Sequence, residues 1–559
     1  MHKHNTNRKD TQEMNEDKYI LAMYDIRSKQ EYIYKSNKMK EIIGASYIIR
    51  DCFKDNLYLV DKECGGKKIF NYKEANIIQK ENKNPVKEAD TISKNNTDDI
   101  KEEKQSDIRF TPDNFRKHLD EGYVGEIIYD GGGNFFVLYR DLKAYQEVNK
   151  RFYKKLLENT YSLKVLTSYI EGVDFDNFPS DRQKLYEIHR KREQMENLIH
   201  PVNALPIVQV DYRDFMPLSC KHLINKREEK VSYESKKKYE KYEKIMAEGR
   251  KDNIIQGERI LDHIITQKGE ESLLAIVYID GNNMGNKMDS CLSGEKQTYE
   301  FCIQRLREYS EEIQKNYIDL RIEDVDRILE SKPQQKRRFV IYAGDEVNFI
   351  CNARHAYDVA VEYLTQLAQN EDDDTRRTSC AGIAVFHSHM PFTEAYRIAK
   401  ECCEGAKRWM KEQQIEHASL LDFHFCQGAI GTSLKHIRNQ EENQELSLPW
   451  VIRYDLINDM KKEYITREMV EEMNLQLQKI NRNNREKLFF GAKKGKYGFG
   501  RELKRLKAHH PEQKIDLSLN GKLDDEMQRK LTYDMMMVYD LWFAREEKDN
   551  GGESNGKTE

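Results

Sequence analysis

Two stretches of the chain set short apolar runs beside acidic turns, which predicts β-strands that end in carboxylates. In the first stretch, LLAIVYIDGNNMG, an apolar run leads into Asp280 and a turn that contains glycine. In the second, RRFVIYAGDEVNFIC, two apolar runs flank Gly344, Asp345 and Glu346. Because a short glycine-containing break between two apolar runs is typical of a β-hairpin, we expect two adjacent carboxylates at a hairpin tip.

The elements around these strands follow in the order of a ferredoxin-like unit. A helical stretch is predicted from Cys291 to Leu329, a helix from His355 to Ala368, and a strand from Cys380 to Phe386. Together with the strand before Asp280 and the acidic hairpin, they give the order βαββαβ, which is the order of a palm domain. The pattern therefore predicts an α+β fold in which the acidic strand end and the hairpin share one sheet.

The three carboxylates predict a metal site. Mg²⁺ prefers carboxylate and water oxygens, and two such ions roughly 4 Å apart suit an in-line phosphoryl displacement. Asp280, Asp345 and Glu346 are therefore the candidate catalytic residues and the candidate metal ligands. The alternative is ordinary turn chemistry, since aspartate is favoured in tight turns.

Three motifs carry a resemblance to a known family. GNNMG after Asp280, AGDEV on the hairpin, and SCAGIAVFHSHMPFTEAYRIAKECCEGAK over residues 379–407 resemble the second palm domain of the large polymerase-like subunit of type III CRISPR effector complexes. That domain is related to GGDEF diguanylate cyclases and nucleotide cyclases. The resemblance implies Mg²⁺ (or Mn²⁺) as the metal, ATP as the substrate and cyclic oligoadenylate as the product. Ala343 and Glu346 depart from the Gly-Gly-Asp-Asp pattern: alanine matters if the turn needs a positive φ there, and glutamate moves the charge by one methylene.

The resemblance also implies a set of nucleotide contacts. Cyclase-type palms place a lysine that meets the triphosphate on the helix after the last core strand, and Lys407 matches it better than Lys411. The other implied nucleotide-binding residues are Gly281, Asn282, Asn283 and Gly344. A solvated helix-surface lysine and turn asparagines without a ligand are the alternatives.

The N-terminal part of the chain repeats the pattern in a weaker form. A strand ending in Asp25 precedes helical sequence, and VGEIIYDGGGNFFVLY predicts another hairpin. When Tyr129 is aligned with Tyr342, Gly132 and Gly133 occupy the positions of the hairpin carboxylates. Because Asp25 alone cannot hold two metals, this copy is predicted to supply shape or a close backbone contact to a phosphate or base. A purely structural glycine turn is the alternative.

These patterns predict two ferredoxin-like palm domains of the nucleotide cyclase/GGDEF type, joined by a helical linker and followed by a helical C-terminal domain. Within the linker, KREEKVSYESKKKYEKYEKIM predicts a long helix with a solvated, charged face. The predicted segments are a disordered lead (1–17), a degenerate first palm (18–173) with a mobile insertion (71–107), the linker (174–269), a catalytic second palm (270–427), the C-terminal domain (428–547) and a disordered tail (548–559).

Composition narrows the function classes. The 93 basic and 97 acidic residues give a net charge of −4, which does not indicate nucleic-acid binding overall, although a balanced chain can hide a basic face. KKGKYGFGR, from Lys493 to Arg501, suits single-stranded RNA, with an ordinary basic loop as the alternative. Ten cysteines without a C-x-x-C pair favour reduced thiols, and no apolar run approaches the roughly 20 residues of a membrane span. We therefore expect a cytoplasmic protein that makes no membrane contact.

Two functions of different class remain. The first is a Mg²⁺-dependent nucleotidyltransferase of type III CRISPR-like antiviral defence, which converts ATP to a cyclic oligoadenylate or a related cyclic nucleotide, with a 3′-hydroxyl as the nucleophile. The second is a non-catalytic or nucleotide-binding scaffold that binds guide or target RNA and other type III CRISPR subunits. Many members of the family begin with an HD-type nuclease domain. Because no His-Asp dipeptide precedes the first palm, no nuclease activity is expected.

Overall fold

The computed structural model describes most of the chain between residues 19 and 544. The described residues are 19–58, 68–75, 108–131, 133–173, 175–196, 207–247, 264, 272–294, 296–330, 338–367, 377–415, 417–426, 431–441, 446–454 and 464–544. The predicted disordered lead, residues 76–107 of the predicted mobile insertion and the predicted disordered tail lie outside them. The chain divides into two compact units, the first made of residues 1–29, 49–206 and 288–310, and the second of residues 30–48, 207–287 and 311–559.

The first unit is built on a five-stranded sheet. Its strands are β1 (Ile20–Arg27), β2 (Lys68–Phe70), β3 (Tyr123–Gly131), β4 (Asn134–Tyr139) and β5 (Lys164–Glu171), in the spatial order β2-β3-β4-β1-β5. Strand β1 is apolar and almost wholly buried, as expected of a strand with neighbours on both sides and cover on both faces. The strand that ends near Asp25 is therefore central, as the sequence predicts.

The second unit contains a six-stranded sheet and a separate two-stranded one. The hairpin is formed by β6 (Leu218–Ile224) and β7 (Arg227–Ser232). The large sheet contains β8 (Leu273–Gly281), β9 (Arg338–Ala343), β10 (Glu346–Asn352), β11 (Ser379–His387), β12 (Ala418–Phe425) and β13 (Trp450–Tyr454), in the order β13-β12-β11-β8-β10-β9. Its central strands β11-β8-β10-β9 repeat the order β5-β1-β4-β3 of the first sheet. The predicted fold class, with two ferredoxin-like sheets and helical regions, is confirmed.

Helices connect and cover these strands. In chain order they are α1 (Lys29–Tyr34), α2 (Met39–Arg50), α3 (Pro112–Asp120), α4 (Leu142–Thr160), α5 (Phe178–Glu196), α6 (Tyr233–Ala247), α7 (Met284–Leu292), α8 (Tyr299–Ile313), α9 (Leu320–Glu330), α10 (Ala356–Leu367), α11 (Phe392–Glu412), α12 (Leu434–Glu441), α13 (Arg467–Gln478), α14 (Arg482–Lys493), α15 (Gly495–His509) and α16 (Asp525–Trp542). No helix in this described part of the chain combines the length and the apolarity needed to cross a bilayer.

The two faces of the large sheet have different roles. Alternate residues of β8, such as Val277 and Ile279, belong to a buried apolar core that continues into the C-terminal helices. At the end of α16, Trp542 donates an indole N–H to the carbonyl oxygen of Ala353 at 2.9 Å, so these helices pack directly on the palm. The intervening β8 residues, among them Asp280, lie on the opposite face, because successive side chains of a strand alternate.

The charged linker stretch folds differently from its prediction. A continuous helix was expected, but Arg227–Ser232 form strand β7 and the helix α6 begins only at Tyr233. The face predicted to be solvated is also partly internal: Lys238 is 0% exposed, and its ammonium group donates to Glu234 Oε1 at 2.7 Å. The prediction was wrong here because a lysine can be buried when a carboxylate four residues away in the helix neutralises it.

Candidate active site at the acidic hairpin

The acidic hairpin and the end of β8 are neighbours in the large sheet. Strands β8 and β10 are antiparallel, and Asp280 lies directly opposite Glu346. Across the hairpin, Ala343 pairs with Glu346, which leaves Gly344 and Asp345 as a two-residue loop. Gly344 has a φ of +67°, as the first loop position of a type II′ turn requires. The predicted juxtaposition of a strand end and a hairpin tip is therefore present.

The same pairing accounts for one departure from the family motif. Ala343 is the last paired residue of β9, so its backbone is extended and not part of the loop. The positive φ belongs to Gly344, which this chain retains. Alanine at position 343 is therefore compatible with the hairpin, since an extended strand position accepts any L side chain.

Asp280 and Asp345 form an interacting acidic pair. Burial, and next to it the charge and hydrogen bonding of Asp280, raise the pKa of Asp345 from 3.8 to about 6. The pair fits because position 281 is glycine: a Cβ there would lie 2.8 Å from Asp345 Oδ2. Two carboxyl groups this close favour the uptake of either a proton or a cation.

Lys407 is the cation that the structure brings to this pair. Its Nζ lies 2.7 Å from Asp280 Oδ2 and 2.5 Å from the carbonyl oxygen of Gly281. Burial lowers the pKa of Lys407 and the Asp280 carboxylate raises it, with a net upward shift. The helix that carries Lys407, α11, approaches the sheet closely at Gly382, where a Cβ would lie 1.9 Å from the carbonyl oxygen of Ala399.

Glu346 turns toward aromatic and amide neighbours. Its Oε1 accepts from the Tyr396 hydroxyl at 3.4 Å and from Asn348 Nδ2 at 3.2 Å. Burial, followed by the charge of Tyr34, of Glu346 and of Tyr278, raises the pKa of Tyr396. Among the residues that the structure describes, no three His, Cys, Asp or Glu side chains converge as metal ligands. The structure thus brings two of the three predicted carboxylates together and directs the third to α11.

The predicted asparagines lie in different environments. Asn282 is 2% exposed, and its amide nitrogen donates to Thr378 Oγ1 at 3.1 Å and to the carbonyl oxygen of Ala418 at 3.0 Å. This side chain joins three segments of the sheet edge. Asn283 is exposed, with a φ of +56°, and Lys411 is exposed in the last turn of α11.

Two further cations near the hairpin were not predicted from the sequence. Burial, followed by the charge of Arg377, lowers the pKa of Lys287, while the charge of Asp345 acts in the opposite direction. Lys287 lies on α7, the helix that follows the Asp280 turn, and Arg377 stands just before β11. The position of Lys287, in the first helix after the acidic strand end, is the sequence signal that could have identified it.

The first sheet has the corresponding geometry without the acidic pair. Asp25 lies opposite Asn134, as Asp280 lies opposite Glu346. The acidic positions are therefore those of Gly133 and Asn134, so the predicted alignment, which used Gly132 and Gly133, was wrong by one residue. Gly132 itself lies outside the described residues. Neither of these two described positions carries a carboxylate.

Asp25 is engaged by an arginine and a histidine of the same unit. Its Oδ2 lies 2.8 Å from Arg27 Nη1 and 3.3 Å from His189 Nε2. Burial raises the pKa of Asp25, but hydrogen bonds from His189 and Arg27 outweigh it, so the net shift is downward. This carboxylate therefore has a different electrostatic environment from that of Asp345.

Comparison with known proteins identifies the second palm. Residues 273–415 match the family model described as Cas10/Cmr2, second palm domain, and the predicted resemblance is confirmed over this segment. No curated protein matches the chain.

Solved structures of Csm1 are similar to this chain at low identity. A Csm1–Csm4 cassette in complex with pppApA has 10% identity and a TM-score of 0.41, covering 71% of this chain and 53% of that one. The cassette in complex with cA4 has 11% identity and a TM-score of 0.40, covering 72% and 54%. Csm1 in T. onnurineus has 10% identity and a TM-score of 0.37, covering 72% and 53%. This chain thus spans about half the length of these proteins.

Proposed function

We propose that this chain, whose residues 273–415 form a Cas10/Cmr2 second palm domain, is a nucleotidyltransferase of type III CRISPR-like antiviral defence. It would convert ATP to a cyclic oligoadenylate or a related cyclic nucleotide. The observation that carries the proposal is the Asp280–Asp345 pair with Lys407 at the edge of the palm sheet. Carboxylates beside a cation are what phosphoryl transfer uses, because its catalysis is almost entirely positioning and charge stabilisation.

The donor chemistry fits Mg²⁺ or Mn²⁺. Asp280 and Asp345 offer hard carboxylate oxygens, and burial together with the charge of Asp280 raises the pKa of Asp345. We assign these two residues as ligands, with Glu346 as the third acid whose role is to be tested. A bound divalent ion would supply charge neutralisation of the triphosphate and activation of the attacking hydroxyl.

The residues of the chain account for the remaining requirements. Lys407, with Lys287 and Arg377 nearby, supplies positive charge for a triphosphate that approaches the hairpin. In the reaction, the 3′-hydroxyl oxygen of one nucleotide bonds to the α-phosphorus of another, and pyrophosphate leaves. The hydroxyl proton passes to solvent water, because Asp345 is assigned as a metal ligand and not as a general base.

One observation favours a second candidate function. Glu346 is engaged by Tyr396 and Asn348, and Lys407 already pairs with Asp280. Such a site could bind a nucleotide without turning it over. The chain would then be a scaffold that binds guide or target RNA and partner subunits of a type III complex.

Turnover of labelled ATP distinguishes the nucleotidyltransferase from the scaffold. The purified chain is incubated with radiolabelled ATP and Mg²⁺ or Mn²⁺, with and without target RNA, and products are resolved by chromatography. We expect Asp345→Asn to lower the rate at least about 100-fold and Lys407→Met to weaken ATP binding. Asp319→Asn, which alters an exposed aspartate of the same unit, is the matched control.

Each outcome decides between the candidates. A product that Asp345→Asn abolishes and Asp319→Asn leaves intact supports the enzyme. ATP binding without any product, under all metal and RNA conditions, supports the scaffold. A product formed equally by Asp345→Asn refutes the assignment of the acidic pair.

A further inference from the structure

The helical hairpin of α14 and α15 carries a concentration of positive charge. Between residues 493 and 510 there are seven lysines and arginines against one acidic residue, Glu502, in a chain whose net charge is −4. Arg505 and Arg501 both donate to Glu502, at 2.9 and 3.4 Å, so one carboxylate faces two cations. Lys496 lies 4.0 Å from Asp525.

Much of this charge lies along one face of α15, beginning at Lys494, the residue just before the helix. Lys494, Tyr497, Arg501 and Lys504 are exposed and follow one another at intervals of three or four residues, which places them on a single helical stripe. Lys507 extends the stripe by another turn. Lys494, Lys504 and Lys507 form no salt bridge with any residue that the structure describes.

An aromatic ring projects from the middle of this stripe. Tyr497 is 93% exposed, the largest exposure among the large apolar side chains of the described residues. A ring in this position adds nothing to the core, and it is flanked by cations instead of other apolar groups. A protein partner that buried the ring in an apolar pocket would also have to desolvate these cations, which is costly.

Four glycines lie in or beside the turn of the α14–α15 hairpin, and three of them have a packing or turn role. Gly491 and Gly498 pack the two helices together, since a Cβ at 498 would lie 2.8 Å from the carbonyl oxygen of Gly491, and Gly495 makes the turn with a φ of +81°. Gly500 has no such use, because nothing lies within 4 Å of its Cβ position. A glycine inside a helix lowers helix stability relative to alanine. Its presence next to the stripe leaves the helix surface flat and accessible to a ligand.

We propose that this face of α15, formed by Lys494, Tyr497, Arg501, Lys504 and Lys507, binds a single-stranded nucleic acid. An unpaired base stacks on the Tyr497 ring, and the cations before and after it follow the phosphates. A duplex fits less well, because its bases are already stacked and offer no free face to a projecting ring. The inference is independent of the proposed enzymatic function.

Fluorescence anisotropy with the full chain tests the assignment. The probes are labelled 15-nucleotide oligouridine and oligothymidine, which separate RNA from DNA, and a duplex of the same length. We expect Tyr497→Ala to weaken binding of the single strands about tenfold, and Tyr497→Phe to keep it, since the phenylalanine ring still stacks. Circular dichroism verifies that each variant is folded.

The contribution of the lysines to binding is measured by the salt dependence of the affinity. Replacing both Lys494 and Lys504 by glutamine should lower the slope of log affinity against log salt by about 1.4, which corresponds to two phosphate contacts with a single strand. The matched control replaces Lys435 and Lys479, exposed lysines of the same unit, and should leave the slope unchanged.

Photocrosslinking locates the bound strand. A 4-thiouridine oligonucleotide should crosslink to peptides from residues 493–507, and the crosslink should be lost in Tyr497→Ala. Equal affinities of Tyr497→Ala and the unaltered chain, or crosslinks confined to other segments, overturn the proposal. A face that serves an acidic protein partner instead would give this second result.

Discussion

Because the pKa of Asp345 is raised, replacing this residue should change the stability of the protein, which can be measured without any assay of catalysis. In Asp345→Asn the amide keeps the size of the side chain but carries no charge. Burial and the neighbouring Asp280 raise the pKa of Asp345 from 3.8 to about 6, so the folded protein holds a proton there that the unfolded chain releases. Asparagine removes this titration and leaves Asp280 with Lys407 as its partner.

The direction and size of the change in the free energy of unfolding follow from the difference between the folded and unfolded pKa values of Asp345. A carboxyl whose pKa is raised in the folded state binds more protons there, so it lowers the free energy of unfolding as the pH rises from about 4 to about 6. At about 1.4 kcal/mol per pKa unit, the full effect above that range is about 3 kcal/mol. Because water reaches this half-buried carboxyl, we expect about 2 kcal/mol. Asp345→Asn should therefore be less than about 1 kcal/mol more stable than the unaltered chain at pH 4.5, and more stable by the full amount at pH 8.

Thermal unfolding between pH 4.5 and pH 8, in EDTA, measures this difference. The stabilisation corresponds to a rise in Tm of about 2–4 °C at pH 8 in a unit of this size. Asp319→Asn, at an exposed position, should follow the unaltered chain at every pH. Added Mg²⁺ should stabilise the unaltered chain at pH 8 and not the variant, because the ion needs a deprotonated ligand. Parallel stability curves for Asp345→Asn and the unaltered chain in EDTA would refute the account of the acidic pair.

The acidic strand end and the hairpin could be predicted because local sequence determines them. The run before Asp280 and the two runs around Gly344 are apolar, and each ends where a turn residue begins, so strand, turn and carboxylate follow in order. The sheet then places Asp280 opposite Glu346 because β8 pairs with the hairpin strand β10 in antiparallel orientation. Lys407 required more than the pattern, since only the resemblance to cyclase-type palms distinguished it from a solvated lysine.

The direction of the Glu346 side chain could not be predicted. Its partner Tyr396 lies 50 positions away on α11, and no local pattern indicates that a hydroxyl will meet the carboxylate there. The burial of Lys238 could not be predicted either, because the stretch around it has the composition of a solvated helix. Both features depend on pairs formed by tertiary packing.

The one-residue error in the first hairpin has a simple geometric origin. The alignment rested on Tyr129 and Tyr342, but Tyr342 lies one residue from its loop and Tyr129 lies two residues from its own. The additional residue, Asp130, shifts everything after it by one position. Only the strand register, in which Asp25 pairs with Asn134, reveals this.

Three substitutions test the packing that surrounds the site. Gly382→Ala should destabilise the second unit by about 3 kcal/mol or more, seen as a lower Tm, because its Cβ would lie 1.9 Å from a carbonyl oxygen of α11. Lys238→Met should cost about 2 kcal/mol, because Glu234 Oε1 loses its buried donor while Oε2 keeps Lys35 at 2.9 Å, and combining it with Glu234→Gln should restore part of the loss, unless the Lys238–Glu234 pair contributes nothing. Tyr396→Phe removes the hydroxyl that donates to Glu346 at 3.4 Å, so the carboxylate loses a contact worth about 1 kcal/mol and is freer to serve as a third ligand. We therefore expect Mn²⁺ affinity, measured by calorimetry, to rise about fivefold in Tyr396→Phe and to return to its original value when Glu346→Gln is added. An unchanged affinity in Tyr396→Phe would mean that Glu346 takes no part in binding the metal, leaving Asp280 and Asp345 as its carboxylate ligands.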